Sequence, residues 1–175
     1  METYLPILYL SLLLSILGGA SWLIFRQIFR SRKVENNLAR LQNKLNVEKG
    51  TAQEYYELGS IYLDKKLFSQ AVSLFQKALK AEEGELQYLP LIYNGLGYGY
   101  FAQEQYDLAI RNYKEAIKLQ PNYITAINNL GHTYEKKKLT AQALEAYDEA
   151  LKHEPTNITA KRRSESLRKR FVTSA

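Results

Sequence analysis

The sequence predicts an all-α protein in which one hydrophobic helix precedes a helical solenoid of three repeats, closed by a C-terminal capping helix. Two observations support this fold class. Residues 3–25 contain no charged side chain. Beyond residue 50, a pattern of leucine, glycine, aromatic and alanine positions recurs with a period of 34 residues. A fixed period of about 20 to 50 residues indicates a repeat architecture.

The first element is the uncharged segment 3–25, TYLPILYLSLLLSILGGASWLIF. About 20 helical residues at 1.5 Å each cross the roughly 30 Å hydrocarbon core of a bilayer, so we predict a single transmembrane anchor here. A cleaved signal peptide is one alternative. Against it, the chain before the apolar run offers Glu2 and no lysine or arginine, and GGASW is a weak cleavage site. A buried core helix is the other alternative.

The second element is a basic stalk, predicted to be helical over 26–50, where seven basic side chains stand against two acidic ones. Lysine and arginine collect on the cytoplasmic side of a membrane span. The repeats are therefore expected on the cytoplasmic side, with a few N-terminal residues on the other. Basic side chains near a membrane also attract anionic lipid headgroups. The predicted membrane-flank residues are Trp22, Arg26, Arg30, Arg32 and Lys33.

The third element is the repeat array, with copies predicted at 52–85, 90–123 and 124–157. Each copy contains a leucine–glycine pair, a tyrosine three positions later, and then two alanines seven residues apart with an aromatic residue between them. This pattern at a 34-residue period is the tetratricopeptide repeat signature. The recurring structural residues are the glycines Gly59, Gly97 and Gly131, the alanines Ala71, Ala109 and Ala143, and the closing prolines Pro121 and Pro155.

The repeated glycine predicts a close contact between the two helices of each hairpin. Glycine inside a helix costs roughly 1 kcal/mol relative to alanine, so its recurrence at one position indicates a compensating approach of the partner helix. Proline ends a helix and directs the chain into the next turn. The first repeat has Glu83 at the proline position, and residues 86–89 are extra, so we predict a longer loop there.

Three glycines lie close together in the middle repeat, at Gly95, Gly97 and Gly99. Two interpretations stay open. The middle hairpin is weakly helical and is held in place by its neighbours, or the missing side chains leave a bare groove floor that a partner's backbone approaches.

The last element is a capping helix predicted over 158–172, with a thin apolar stripe at Ile158, Ala160, Leu167 and Phe171. Residues 158–175 carry six basic side chains and one acidic one. This basic tail either contacts lipid headgroups or keeps the cap soluble, and both interpretations stay open.

Composition argues against several classes of function. The chain has no cysteine, so disulfides and thiolate metal sites are excluded. His132 has no second histidine at ligand spacing, no catalytic constellation is evident, and we expect neither a metal, a cofactor nor an enzymatic activity. Residues 51–157 hold eleven basic and fourteen acidic side chains, which argues against nucleic acid because its binding proteins present a basic face.

The tetratricopeptide signature implies binding of protein segments on the concave face, which the first helix of each repeat forms. In this family the ligand-binding positions are two, five, nine, twelve and thirteen of each repeat. Carried onto this sequence, these positions include the candidate partner-binding residues Tyr56, Ser60, Asn94, Tyr98, Phe101, Asn128, His132 and Glu135. The positions that form a lysine-and-asparagine clamp in the Hsp70/Hsp90 co-chaperones contain no lysine here; they are Tyr56, Ser60, Gly95, Thr125 and Asn129. A co-chaperone role is therefore not expected.

The whole chain, from METYLPILYLSLLLSILGG through the basic flank and the three repeats, resembles the cyanobacterial and plastid-encoded tetratricopeptide proteins that assist photosystem I assembly. The resemblance implies a single-pass thylakoid protein whose repeats face the stroma or cytoplasm. It also implies photosystem I subunits or assembly intermediates as partners. The alternative is a bacterial inner-membrane tetratricopeptide scaffold for pilus, secretion or division machinery.

Overall fold

The computed structural model describes residues 4–81 and 86–173, and within these ranges the side chains of 5–7, 30, 86 and 171–173 lie outside the description. The described chain divides into two compact units, residues 1–46 and 47–175. Glu83 and the N-terminal residue Glu2 are among the residues outside the description, as is the side chain of Phe171.

The first unit consists of one long helix, α1, Tyr4–Val47. Every described side chain from 8 to 29 is exposed. The hydroxyl groups of Ser11 and Ser15 each donate to a backbone carbonyl of the preceding turn, at 2.9 Å, so that neither hydroxyl depends on water. Among the described residues, one helix is long and apolar enough to cross a membrane, within Leu8–Val47.

At the charged end of this apolar stretch, the guanidinium carbon of Arg26 lies 5.5 Å from the ring centre of Trp22. This is a cation–π contact between two of the predicted flank residues. Arg32 and Lys33 are exposed, and the side chain of Arg30 lies outside the description.

The second unit is a stack of α-helices joined by short turns. The helices α2 to α7 form three hairpins, α2–α3, α4–α5 and α6–α7, and each hairpin also packs against the helix that follows it. This is the tetratricopeptide solenoid that the 34-residue period predicts. The helix bounds are α2 Ala52–Asp64, α3 Phe68–Lys80, α4 Leu89–Ala102, α5 Tyr106–Leu119, α6 Ile124–Lys136, α7 Thr140–His153 and α8 Ile158–Thr173.

The turn inside each hairpin places a residue other than glycine in the left-handed region, at Lys66, Glu104 and Lys138, with φ of 60°, 60° and 61°. Each turn is closed by backbone hydrogen bonds of a Schellman motif. In the third hairpin, for example, the amide of Leu139 donates to the carbonyl of Tyr134 at 2.9 Å. The sequence offered no glycine signal for these turns.

The connections between repeats follow the prolines in two cases. Helices α5 and α7 end at Leu119 and His153, and Pro121 and Pro155 lie in the turns that follow. Before the second repeat the connection is longer, as predicted: residues 81–88 separate α3 from α4, whereas 120–123 separate α5 from α6. Of the extra residues 86–89, three form a 3-10 helix, Leu86–Tyr88, and the fourth begins α4.

The core of each hairpin is an aromatic ring packed on the repeated glycine. A Cβ atom placed on Gly59 would lie 2.9 Å from Phe75, one on Gly97 would lie 2.5 Å from Tyr113, and one on Gly131 would lie 2.9 Å from Tyr147. The three rings are at most 1% exposed. The small alanines opposite, Ala71, Ala109 and Ala143, are fully buried.

The two additional glycines of α4, Gly95 and Gly99, lie against the preceding repeat. A Cβ on Gly95 would lie 2.6 Å from the Phe75 ring, and one on Gly99 would lie 2.6 Å from Cγ2 of Val72. Both partners belong to α3, so these glycines allow α4 to pack closely on the preceding repeat. The interpretation as a bare groove floor is wrong, because Gly95, Gly97 and Gly99 are all buried.

The cap helix α8 buries Ala160, Ser164 and Leu167, at 0%, 4% and 5% exposure. Ile158 was predicted to belong to this stripe, but it is 81% exposed, because it lies two residues, about 200°, away from Ala160 around the helix. The side chain of Asn157 caps α8 by accepting from the amide of Ala160 at 2.9 Å, as an N-cap asparagine does.

Candidate functional site: the inner surface of the array

The eight residues predicted to bind a partner lie on the first helices of the three repeats, α2, α4 and α6. Within each helix they are spaced by three or four residues, so they share one face. These helices contact one another along the stack, α2 with α4 and α4 with α6. We call this combined face the inner surface.

At the α2 end, the inner surface is aromatic. The ring of Tyr56 lies 6.0 Å from Phe75 and 6.1 Å from Tyr88, both in tilted arrangements, which is a favourable geometry for aromatic pairs. The hydroxyl of Ser60 donates to the carbonyl of Tyr56 at 2.9 Å. This internal bond fixes the serine side chain.

A cavity of about 400 Å³ opens between α2 and α4. Two of the predicted residues, Ser60 and Tyr98, line this cavity. Tyr98 is 44% exposed. An exposed tyrosine offers a large contact area at a low cost in side-chain entropy. The remaining lining residues are Leu63, Asp64, Lys66 and Phe68.

In the middle of the inner surface, asparagines of adjacent repeats are joined. The amide nitrogen of Asn129 donates to the side-chain oxygen of Asn94 at 3.1 Å. Tyr123 also bonds to Asn94; burial raises the pKa of the Tyr123 hydroxyl, nearby Tyr56 adds to the rise, and the bond to Asn94 opposes it. Sequence reasoning missed Tyr123, which occupies the last position of the second repeat and lay outside the five family positions.

Next along the surface, two predicted residues from different repeats stack on each other. The rings of Phe101 and His132 are 5.0 Å apart, and Tyr106 lies 5.6 Å from Phe101. Burial lowers the pKa of His132, the positive charges of Arg163 and Lys136 lower it further, and Glu135 acts in the opposite direction. The imidazole is therefore neutral at neutral pH, and it serves the surface as an aromatic ring.

The last two predicted residues are engaged within the chain. Glu135 accepts a hydrogen bond from the Tyr147 hydroxyl at 2.6 Å and faces Arg163 at 3.5 Å. The amide nitrogen of Asn128 donates to the side-chain oxygen of Asn157 at 3.2 Å, and that same oxygen caps α8. Changing Asn128 or Glu135 would therefore disturb the fold as well as the surface.

The side chains of the inner surface are suited to binding a polypeptide. No group of three or more histidine, cysteine, aspartate or glutamate side chains that could hold a metal ion occurs among the described residues. The surface instead combines exposed aromatic area, half-buried amides and a few charges, which suits contacts with a polypeptide segment.

Comparison with known proteins agrees with this geometry. Profiles of the tetratricopeptide repeat match residues 52–84 and 124–157, and a TPR repeat profile matches 97–138. Among solved structures, the first TPR domain of Spaghetti (RPAP3) bound to an HSP90 peptide superposes with a TM-score of 0.64. That match has 19% identity and covers 71% of this chain and 96% of the other, so it shows the fold alone.

Two relatives carry more information. The "Uncharacterized protein ycf37" of Cyanophora paradoxa is 43% identical over 69% of this chain and 68% of its own length. The chloroplastic tetratricopeptide repeat domain-containing protein PYG7 of Arabidopsis thaliana is 36% identical over 73% of this chain but only 42% of its own length. The chain thus belongs to the ycf37/PYG7 family of tetratricopeptide-repeat proteins, a family of non-enzymatic protein-interaction scaffolds with chloroplast and plastid members.

Proposed function

We propose that this protein is a thylakoid-anchored scaffold whose inner surface holds segments of photosystem I subunits or assembly intermediates while the complex is built. The observation that carries the proposal is the presence, in one chain, of an exposed apolar helix and a protein-binding tetratricopeptide array. The two parts have complementary roles: the helix holds the protein at the membrane, and the array supplies the surface that recognises a partner.

The exposed apolar side chains of α1 require an apolar environment in place of water. The apolar side chains from Leu8 to Phe29 are each close to half exposed or more, and contiguous apolar area of this size is rarely left in water. The uncharged part of α1, residues 4–25, has 22 residues and rises about 33 Å, close to the thickness of a bilayer's hydrocarbon core. The hydroxyl groups of Ser11 and Ser15 are bonded within the helix, which suits a lipid environment.

Anchoring changes how the array finds a partner. A partner in the same membrane meets the array at a high effective concentration, so contacts that are individually weak suffice for occupancy. A surface of three repeats offers room for one short segment. A transient hold of this kind suits an assembly factor better than a permanent subunit.

The choice of photosystem I as the client rests on family membership. A relative carries the description chloroplastic, and the anchor, basic flank and three repeats together resemble the photosystem I assembly proteins of cyanobacteria and plastids. The pilus, secretion or division scaffold stays the competing function.

The test is a deletion strain and its complementation by a shortened chain. We expect loss of the gene to lower photosystem I accumulation, measured by P700 absorbance, and to leave photosystem II fluorescence largely intact. A chain lacking residues 1–25 should restore photosystem I accumulation only in part, because the free array must find its client by diffusion. Wild-type photosystem I levels in the deletion strain, under normal and high light, would reject this function in favour of the competing scaffold.

The inner surface is tested separately by pull-down from solubilised membranes. Tyr98→Ala removes an exposed ring and should weaken capture of photosystem I proteins with little change in melting temperature. Tyr4→Ala is a matched control, since Tyr4 is also exposed, at 74%, but lies on α1. Equal capture by the Tyr98→Ala chain and the wild type would exclude Tyr98 from the contact.

A further inference from the structure

The inner surface does not stop at the third repeat. Helix α8 occupies the place of a fourth first helix, and Arg163 of α8 faces Glu135 of α6 at 3.5 Å. The N-cap of α8 is likewise joined to α6 through Asn157 and Asn128, at 3.2 Å. The cap is therefore continuous with the surface that carries the predicted binding residues.

The repeat register continues through α8. The side chains that α8 buries are Ala160, Ser164 and Leu167. The 100° step of a helix therefore places Arg162 and Ser166 on the part of the helix that faces away from this buried side. These two residues occupy the fifth and ninth positions of a repeat that would begin at 158, the same positions as Asn128 and His132 in the third repeat.

This extension of the inner surface is cationic. The five binding positions on α8 hold three basic side chains and no acidic one; they are Thr159, Arg162, Ser166, Lys169 and Arg170. Arg168, by contrast, points to the other side, where one nitrogen of its guanidinium group donates to both carboxylate oxygens of Asp148 of α7, at 2.8 and 2.6 Å. That ion pair joins α8 to α7 on the side away from the inner surface.

The opposite end of the inner surface has another character. On α2 the five positions are Gln53, Tyr56, Ser60, Leu63 and Asp64, without a basic residue. The surface thus changes from aromatic, with the single acidic residue Asp64, on α2 and α4 to cationic on α8. An extended ligand lying along it would meet different chemistry at its two ends.

We propose that the inner surface continues onto α8 and binds an acidic protein segment there, with apolar or aromatic residues of the same segment lying over Phe101 and Tyr98. This proposal deepens the proposed function and rests on it for the use of the inner surface. The partner's carboxylates would approach Arg162 and Arg163, and its register would be fixed by the change of chemistry along the surface.

A lipid surface fits this arrangement less well than a polypeptide does. Arg163 lies on the same side as the Phe101–His132 ring pair, and its charge is felt by His132. A bilayer is flat and cannot follow cationic groups into the face between stacked helices. A single extended chain can, and it can reach the rings and the arginines together.

The experiment uses the full-length chain in nanodiscs of neutral phosphatidylcholine to select binders from a yeast-displayed library of random peptides. We expect the selected peptides to be enriched in aspartate and glutamate together with an aromatic residue. A fluorescent peptide from this selection should bind Arg162→Glu roughly three- to ten-fold more weakly than the wild type, since a like charge then opposes its carboxylates. A version of the peptide with glutamine in place of each acidic residue should bind the wild-type chain more weakly, by a similar factor.

The matched controls are on the same helix. Lys161→Glu makes the same change of charge on the neighbouring exposed residue, which lies 100° around the helix from Arg162, and should bind the peptide like the wild type. Arg162→Lys keeps the charge and should retain most of the affinity. Equal losses in Arg162→Glu and Lys161→Glu, no acidic enrichment, or no selected binder would overturn the proposal.

The membrane alternative has its own readout, which the absence of cysteine from the chain makes simple. An environment-sensitive dye on Ser166→Cys should report the acidic peptide and should be indifferent to phosphatidylglycerol in the nanodisc. A response to phosphatidylglycerol without peptide would assign the cationic surface to lipid and overturn the proposal. The proposed function fails by a different measurement, the photosystem I level of the deletion strain, so the two failures are distinguishable.

Discussion

Ring-on-glycine contacts set how closely α4 approaches the helices on both sides. The Cε1 atom of Tyr113 lies 2.5 Å from where a Cβ on Gly97 would be, and the ring is 1% exposed. Burial also raises the pKa of the Tyr113 hydroxyl, and nearby Tyr98 adds to the rise. Because the ring is enclosed on all sides, it cannot yield to an added methyl group without disturbing its own packing.

We therefore expect Gly97→Ala to destabilise the array, although alanine is the better helix former by roughly 1 kcal/mol. The overpacking should cost about 1–3 kcal/mol and should appear as a lower midpoint in urea unfolding followed by circular dichroism. Tyr113→Leu, which leaves room for the methyl group, should make the added Gly97→Ala change much less harmful than it is alone. Additive losses in the double variant would mean that the ring contact is not the reason for the glycine.

At the scale of single elements, the hairpin turns show a cost that the sequence conceals. Lys66, Glu104 and Lys138 adopt left-handed φ values, which cost a residue with a side chain roughly 1–2 kcal/mol. Glycine, and to a lesser degree asparagine, usually marks such positions. Here neither residue is present, so the helix period locates the hairpins while the turn conformation has to be read from the structure.

Lys138→Gly should stabilise the array. Relief of the left-handed strain is partly offset by the greater freedom of glycine in the unfolded chain, which leaves a gain of about 0.5–1 kcal/mol and a rise of roughly 2–4 °C in melting temperature. Lys136→Gly is the control, because Lys136 belongs to the last turn of α6 and the same substitution there should lower the melting temperature. A lower melting temperature in Lys138→Gly would show that the lysine side chain contributes more than its backbone costs.

The cap helix gives a second comparison within one element. Leu167 is 5% exposed and Ile158 is 81% exposed, although both are large aliphatic residues of α8. Leu167→Ala should cost about 2–5 kcal/mol, as deletion of a buried leucine side chain does. Ile158→Ala should stay within about 0.5 kcal/mol of the wild type. Thermal unfolding of the two variants tests whether α8 is part of the cooperative fold, and equal melting temperatures would separate it from the array.

At the scale of the whole molecule, periodicity accounts for most of what the sequence predicted. The 34-residue spacing specifies three hairpins, and an uncharged run specifies one apolar helix, because both patterns are local in the chain. Contacts between repeats are not local. The bond from Asn129 to Asn94, the packing of Gly99 on Val72, and the position of Arg163 beside Glu135 depend on how hairpins stack, which no single repeat encodes.

The same limit applies to the inner surface. Family positions identified residues on the correct helices, but Asn128 and Glu135 turn out to bond within the chain. Only side-chain geometry distinguishes such residues from Tyr98, which is exposed. The cationic extension onto α8 was visible in the sequence as a basic tail, yet its direction follows from which side of the helix is buried.

Orientation in the membrane is the property of the whole chain that charge should decide. The apolar stretch of α1 is followed by Arg26, Arg30, Arg32 and Lys33 and is preceded by no lysine or arginine, so the positive-inside rule predicts that the chain after it lies on the stromal or cytoplasmic face. Protease added to that face of intact thylakoids should remove an epitope at the C-terminus, whereas protease in the lumen should not. Alkaline carbonate should leave the chain in the membrane. Replacing the four basic residues by glutamine and adding three lysines after Met1 should shift part of the population to the opposite orientation, because the charge bias is then reversed. Full protection of the epitope in the unaltered chain would mean that the orientation is opposite to the one predicted. Release of the chain from the membrane by carbonate would exclude a spanning helix.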